Sequence, residues 1–104
     1  MADNYKIYIS KRANDDLAEH LSFVNRVSLN AAINLHSCIY SAINSLTMFP
    51  ERNPIFNMPK AFPFITRKLV INGRYIAIYA IEQDTVVVYR ILDARKNFES
   101  LVDK

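Results

Sequence analysis

The chain of 104 residues contains one glycine, one cysteine and two histidines. A lone cysteine, Cys38, excludes an internal disulfide and fits a reducing compartment. His36 and Cys38 stand two positions apart and so do not share a helix face. Without a third and fourth ligand they hold no zinc, and no cofactor or metal is expected. No histidine lies one turn from Cys38, so the thiol reads as part-buried packing rather than as a nucleophile. No apolar run approaches the ~20 residues of a membrane helix. The opening MADNYKIYIS lacks the basic start and apolar run of a secretory signal. Repeats and low-complexity tracts are absent as well. A cytoplasmic protein without membrane contact is the expectation.

What is present suffices for one domain, residues 1–104. A chain this long buries roughly 60 to 70% of its unfolded surface, enough for a single core. The apolar fraction of 51% is ordinary for a globular protein. The formal charge is +3 and the pI about 9.1. That mild excess attracts anionic partners, whether nucleic acid or an acidic protein surface.

Tyr5 to Ile9 alternates like a strand. Ser10 then offers a helix cap, and Ala13, Leu17, Leu21 and Val24 follow at helical spacing over about four turns. A second cap, Ser28, precedes a longer stripe of Ala32, Leu35, Ile39, Ala42, Ile43, Leu46 and Phe49, with Pro50 placed to end the helix. The short link makes the two helices an antiparallel hairpin.

All four prolines, Pro50, Pro54, Pro59 and Pro63, fall in the next stretch. It also carries Ile55, Phe56, Met58, Phe62, Phe64 and Ile65, too much apolar surface for a solvated linker, and reads as a long loop laid on the body. Three strands follow, about Arg67–Ile71, Arg74–Glu82 and Thr85–Leu92. Asn72-Gly73 between the first two is a strong type I′ hairpin signal, because both turn positions need positive φ. Gln83-Asp84 makes the second turn. Phe98, Leu101 and Val102 suggest a short final helix from Ala94, capped by Asp93. The last two strands are apolar on both faces, with Val86, Val88, Arg90 and Leu92 alternating against Val87, Tyr89 and Ile91. Both faces therefore need cover, one from the helices and the other from the proline loop, the tail or a second protein. The architecture expected is α+β: a helix hairpin on a mostly antiparallel four-stranded sheet.

Arg67, Lys68, Arg74, Arg90, Arg95 and Lys96 supply 6 of the 13 basic residues, against only Glu82, Asp84 and Asp93 in the same span. Gathered at one margin of the sheet they would form an anion-facing rim. Each also has a plainer reading. Arg90 lies among apolar neighbours, where an internal carboxylate or carbonyl could hold it. Arg67, Lys68 and Arg74 flank a hairpin, where cations blunt a sheet edge. His20 follows Asp16 by four residues and reads as half of a surface helix pair. Both histidines are expected on the helix hairpin, away from the basic end of the sheet.

Four stretches together resemble one family. They are YKIYISKRANDDLAEHLSFV, SLTMFPERNP, RKLVINGRYIAIYAI and VVVYRILDARKNF, in the order strand and helix, helix end, hairpin, closing strand. The chain resembles the RelE/ParE superfamily of type II toxins, and within it the ParE-like branch. The resemblance implies a β-α-α-β-β-β fold and a toxin neutralised by a cognate antitoxin. It also implies one of two targets. ParE-type members inhibit DNA gyrase by binding. RelE-type members cleave messenger RNA on the ribosome, and Arg74, Arg90 and Arg95 would then face the phosphate. RelE-like nucleases commonly carry an arginine where this chain has Ile76, and a tyrosine or histidine where its tail has Phe98, so the gyrase reading is preferred. ParE-like chains often close on histidine-x-arginine-arginine-aspartate, where this one has Asp93-Ala94-Arg95-Lys96-Asn97. A relic that only binds its antitoxin is the third reading, and a homodimer is compatible with the apolar surface.

Overall fold

The computed structural model describes residues 4–95. Strand β1 (Lys6–Ile9) leads into helix α1 (Lys11–Asn25) and helix α2 (Leu29–Asn44). Two short 3-10 turns follow (Ser45–Thr47 and Pro50–Arg52), then β2 (Arg67–Ile71), β3 (Tyr75–Glu82) and β4 (Thr85–Asp93). The sheet runs β1-β4-β3-β2; β1 is parallel to β4 and the other pairs are antiparallel. No helix among the described residues is long and apolar enough to cross a membrane.

Both helix starts follow from their caps. The Ser10 hydroxyl accepts the Ala13 amide and the Ser28 hydroxyl accepts the Ala31 amide, each satisfying a donor that the first turn leaves open. Asn72 and Gly73 take φ of 57° and 67°, as the hairpin turn requires.

One sheet face is covered by the helices. Ala13, Leu17, Ile39, Ile43 and Leu46 pack there on Tyr75, Ala77, Tyr79, Val86, Val88 and Ile91. The other face, built from Ile76, Ile78 and Leu92, is covered by the proline loop through Met58, Phe56 and Phe62. That loop is tied down at its ends. Thr66 and Phe56 exchange hydrogen bonds, the Lys68 amide donates to the Pro54 carbonyl, and Ile55 bridges Arg67. The Tyr79 hydroxyl, inside the core, donates to the Pro50 carbonyl at 2.6 Å and accepts from the Asn53 amide at 3.0 Å.

Two expectations change, and a third is not tested. Helix α2 does not run to Pro50 but stops at Asn44 and tightens into a 3-10 turn. The Ser45 hydroxyl donates back to Ala42, and the Arg52 guanidinium gathers the carbonyls of Ser45, Met48 and Phe49. Phe49, expected in the buried stripe, instead takes a left-handed backbone (φ 49°) and stands exposed. Second, β4 does not alternate throughout. Ile78 pairs with Arg90 but Tyr79 pairs with Val88, so Tyr89 is an extra residue in a bulge. The bulge inverts the facing beyond it: Val86, Val88 and Ile91 pack under the helices, while Leu92 joins the loop side. Third, the final helix expected from Ala94 lies outside the described residues, as does Lys96.

Candidate functional site at the hairpin end of the sheet

The cations of residues 67–95 do not share one margin. Ile71 pairs with Tyr75 and Arg67 with Tyr79, so Arg67 and the hairpin turn are separated by nearly the full length of β2, roughly 13 Å at the strand rise. Arg67 and Lys68 face the proline loop. The Arg67 guanidinium donates to the carbonyls of Glu51 and Asn53, and the Lys68 ammonium sits 4.9 Å from the centre of the Phe56 ring.

Arg90 belongs to neither end. Its Nε donates to Asp16 Oδ2 at 2.8 Å and its second guanidinium nitrogen to Oδ1 at 3.0 Å. The two side chains are only 16% and 11% exposed. Asp16 Oδ2 also accepts the Ile91 amide at 2.9 Å. The geometry has a simple cause. Strand β1 stops pairing at Val88, which leaves the outer edge of β4 without a neighbour. Helix α1 lies along that edge and satisfies it with side chains. Asp16 takes the Ile91 N–H, while His20 Nε2, one turn on, donates to the Ile91 carbonyl at 2.8 Å. The carbonyl can only accept, so the proton is on Nε2. A charge matched this closely inside the protein serves folding, and Arg90 is withdrawn from the anion-facing set.

What remains at the hairpin end is Arg74 and Arg95. Tyr75 pairs with Asp93 across β3 and β4, so the residues just outside that pair converge, and the Ala94 amide donates to the Arg74 carbonyl. Arg95 forms a two-point ion pair with Asp93, at 3.3 and 3.2 Å, and its amide bonds the same carboxylate. Burial alone would raise the Asp93 pKa. The Arg95 hydrogen bonds and the charges of Arg95 and Arg74 outweigh it and hold the carboxyl below its usual range. Asp93 in turn raises the Arg95 pKa. The Arg74 guanidinium lies 5.2 Å over the Tyr75 ring, and its Nε is buried with no hydrogen-bond partner among the described residues. An unpaired buried donor of this kind is rare in a folded protein and fits a surface that gains an acceptor on binding.

Arg74 and Arg95 open onto a cleft of ≈ 280 Å³ whose far wall is α1, with Glu19, His20, Phe23 and Arg26. His20 stacks at 4.9 Å on Tyr75. It therefore sits at the basic end of the sheet, against the expectation that both histidines lie away from it. Sequence reasoning also passed over Phe23 and Arg26, and read Asp16 only as the surface partner of His20. One signal was available. Positions 13, 16, 17, 20, 21 and 24 form one helical stripe, so Asp16 and His20 occupy the inward face rather than the solvent side. On the opposite face, Tyr89 stacks with Phe62 and Phe64 and donates to Glu82. Burial first, and the Glu82 carboxylate second, push its pKa up to about 12, too high for a base near neutral pH.

Two helices over one face of a four-stranded mixed sheet, with a cationic cleft at the hairpin end, make this an α+β domain of the RelE/ParE type. The model of the ParE toxin of the type II toxin–antitoxin system parDE matches residues 7–98, and the chain belongs to that family. Among solved structures it resembles a chain of the chromosomal ParDE toxin–antitoxin system from P. aeruginosa. The TM-score is 0.69 at 15% identity, over 86% of this chain and 95% of that one. It is also similar to a chain of the toxin–antitoxin complex RelBE2 from Mycobacterium tuberculosis. There the TM-score is 0.57 at 18% identity, over 92% of this chain and 98% of that one. No match was found among curated proteins.

Proposed function

We propose that this ParE-family chain is the toxin of a type II pair, that it inhibits DNA gyrase by binding rather than by chemistry of its own, and that a cognate antitoxin neutralises it. The observation that carries this reading is the ParE match over residues 7–98. The site supports it. Arg74 and Arg95, with Arg26 across the cleft, are suited to an acidic protein surface or to DNA held by the enzyme. Arg67 and Lys68 form a second cationic point some distance away. Lys96 belongs to the same binding set by sequence. The antitoxin is supported by two structural neighbours that come from toxin–antitoxin systems. A second copy of the chain is the third partner in this reading.

Purified protein added to a gyrase supercoiling reaction tests the proposal. Inhibition that weakens in Arg74→Ala is the expected result. No effect at large molar excess sinks it. Arg90→Ala is a poor control, because loss of the Asp16 pair damages the fold before it reports on any target.

One observation favours the RelE-like alternative. His20 shares the cleft with Arg74 and Arg95, which sets an imidazole beside two guanidinium groups suited to a phosphate. New messenger RNA ends, mapped by primer extension on translating ribosomes, would promote it. Normal growth on expression without the antitoxin would instead indicate the non-toxic relic.

A further inference from the structure

The cleft at Arg74 holds more open hydrogen-bond donors than the fold needs. Arg74 Nε is buried without a partner among the described residues. Tyr75 supplies a second open donor. The residue is 2% exposed, yet its hydroxyl makes no hydrogen bond among the described residues. The other core tyrosine of the same strand, Tyr79, has its hydroxyl bonded twice. The Tyr75 hydroxyl lies near enough to Arg95 to favour its charged form, which puts it on the cleft side. Buried donors are satisfied as a rule, so two open ones on adjacent residues mark a place where an acceptor arrives from outside.

The surroundings select the acceptor. Arg26 and Ser22 line the same cleft from α1, facing Arg74 and Tyr75 on the sheet. Donors on opposite walls suit the tetrahedral oxygens of a phosphate better than the two coplanar oxygens of a carboxylate. Three guanidinium groups against the carboxylates of Glu19 and Asp93 leave one positive charge in the cleft, which matches the single charge of a phosphodiester. Phe23 borders the cleft and is 58% exposed. An open aromatic ring beside arginines is the arrangement on which unpaired bases stack. An acidic side chain has no flat face to offer that ring, and a duplex keeps its bases stacked on one another.

We propose that the Arg74 cleft holds one phosphodiester of a single-stranded nucleic acid, with the adjoining base stacked on Phe23. The inference rests on the reading of this cleft as the target-binding surface, and it names nucleic acid rather than an acidic protein surface as what the cleft meets. Arg74 and Tyr75 donate to the phosphate from the sheet, and Arg26 donates from α1. At ≈ 280 Å³ the cleft falls just short of the usual range for a whole ligand, so the phosphate and sugar enter and the base stays at the rim. Arg74 and Tyr75 also line a second cleft of ≈ 400 Å³ on the α2 side, with Asn34, Cys38 and Asn72. Two clefts that share these side chains suit a polymer passing both better than a free nucleotide seated in one.

Fluorescence anisotropy of a labelled oligothymidine of about ten nucleotides, titrated with the purified chain at about 50 mM salt, tests the proposal without gyrase. Binding with a dissociation constant on the order of micromolar is expected. Arg74→Gln should weaken it about tenfold, the loss of a charge-assisted contact. Phe23→Ala, at an exposed position, should weaken it roughly tenfold through the lost stack. Tyr75→Phe keeps the ring and removes only the open hydroxyl; it should weaken binding roughly fivefold while melting like the parent. Lys6→Gln removes the same charge at the end of β4 remote from Asp93, where Lys6 pairs with Thr85, and should change affinity by no more than about twofold. A strand lacking its bases should bind the parent and Phe23→Ala alike. Absence of binding up to about 1 mM, a duplex of the same length that binds as tightly, or equal losses in Arg74→Gln and Lys6→Gln overturns the proposal. So does a polyglutamate peptide of equal charge that binds as tightly and with the same dependence on Arg74, which gives the cleft to an acidic protein. A chain that inhibits gyrase yet binds no strand overturns this inference and leaves the gyrase reading standing.

Discussion

Arg90 next to the β4 bulge and Arg74 at the hairpin turn invite comparison, since both sit beside a tyrosine of the same sheet. At the bulge, α1 reaches across the unpaired edge of β4, and Asp16 answers both the guanidinium and the Ile91 amide. At the hairpin end no carboxylate among the described residues is bound to Arg74; Asp93 is already taken by Arg95, and the buried Nε has no acceptor among the described residues. The difference lies in which element covers each strand, not in the local sequence. A matched charge is structural, and an unmatched one is available to a partner.

The largest effect expected is at Asp16. Asp16→Ala strands the Arg90 charge and the Ile91 N–H together, and breaking a buried pair in this way costs about 3–5 kcal/mol. Urea denaturation should show the midpoint fall accordingly. Asp16→Leu combined with Arg90→Met should recover most of that loss, since apolar replacement of both partners is often neutral. If Asp16→Ala melts like the parent, the contrast between the two arginines fails.

Tyr79→Phe comes next. It leaves the Pro50 carbonyl and the Asn53 amide without their core partner and should cost about 1–3 kcal/mol, read from the same denaturation curves. Arg74→Gln should behave in the opposite sense. Stability should stay within about 0.5 kcal/mol, because an unpaired donor is removed. Gyrase inhibition should fall roughly tenfold, the loss of one charge-assisted contact. A drop in stability with inhibition intact would reverse the assignment.

The smallest effect concerns acid. The folded-state pKa of Asp93 is depressed, so its ionised form contributes stability that is present above the ordinary carboxylate pKa and is lost as pH falls through the depressed value. Stability should therefore decline below about pH 4, the ordinary Asp value, and Asp93→Asn should flatten part of that decline. An unchanged acid limb would show that the Arg95 pair is not maintained in solution.

Element order was legible because its causes are local. Ser10 and Ser28 cap helices by hydrogen bonds to residues three ahead, and Asn72-Gly73 turns because both residues tolerate positive φ. The end of α2 was misread because Arg52, seven residues beyond Ser45, collects the carbonyls there and lets the helix stop short of Pro50. Facing along β4 was misread beyond Val88 because a bulge adds a residue without changing the apolar pattern. The candidate rim was named in full but not resolved, and His20 was assigned to the wrong place because its partner is 71 positions away.

By itself, then, the sequence determined the α+β order, the two helix starts, the first hairpin and the likeness to ParE toxins, and it left the cover of the second sheet face open between the proline loop, the tail and a second protein. All of these depend on side chains acting within a few residues or on the alternation of apolar positions. Only the tertiary structure decided that the proline loop covers the second face, that Arg90 is paired, that Arg74 has no carboxylate partner among the described residues, and that His20 faces the same cleft. Those facts depend on where the loop settles and where α1 crosses the edge of β4, and a long-range docking of that kind leaves no periodic trace in the chain.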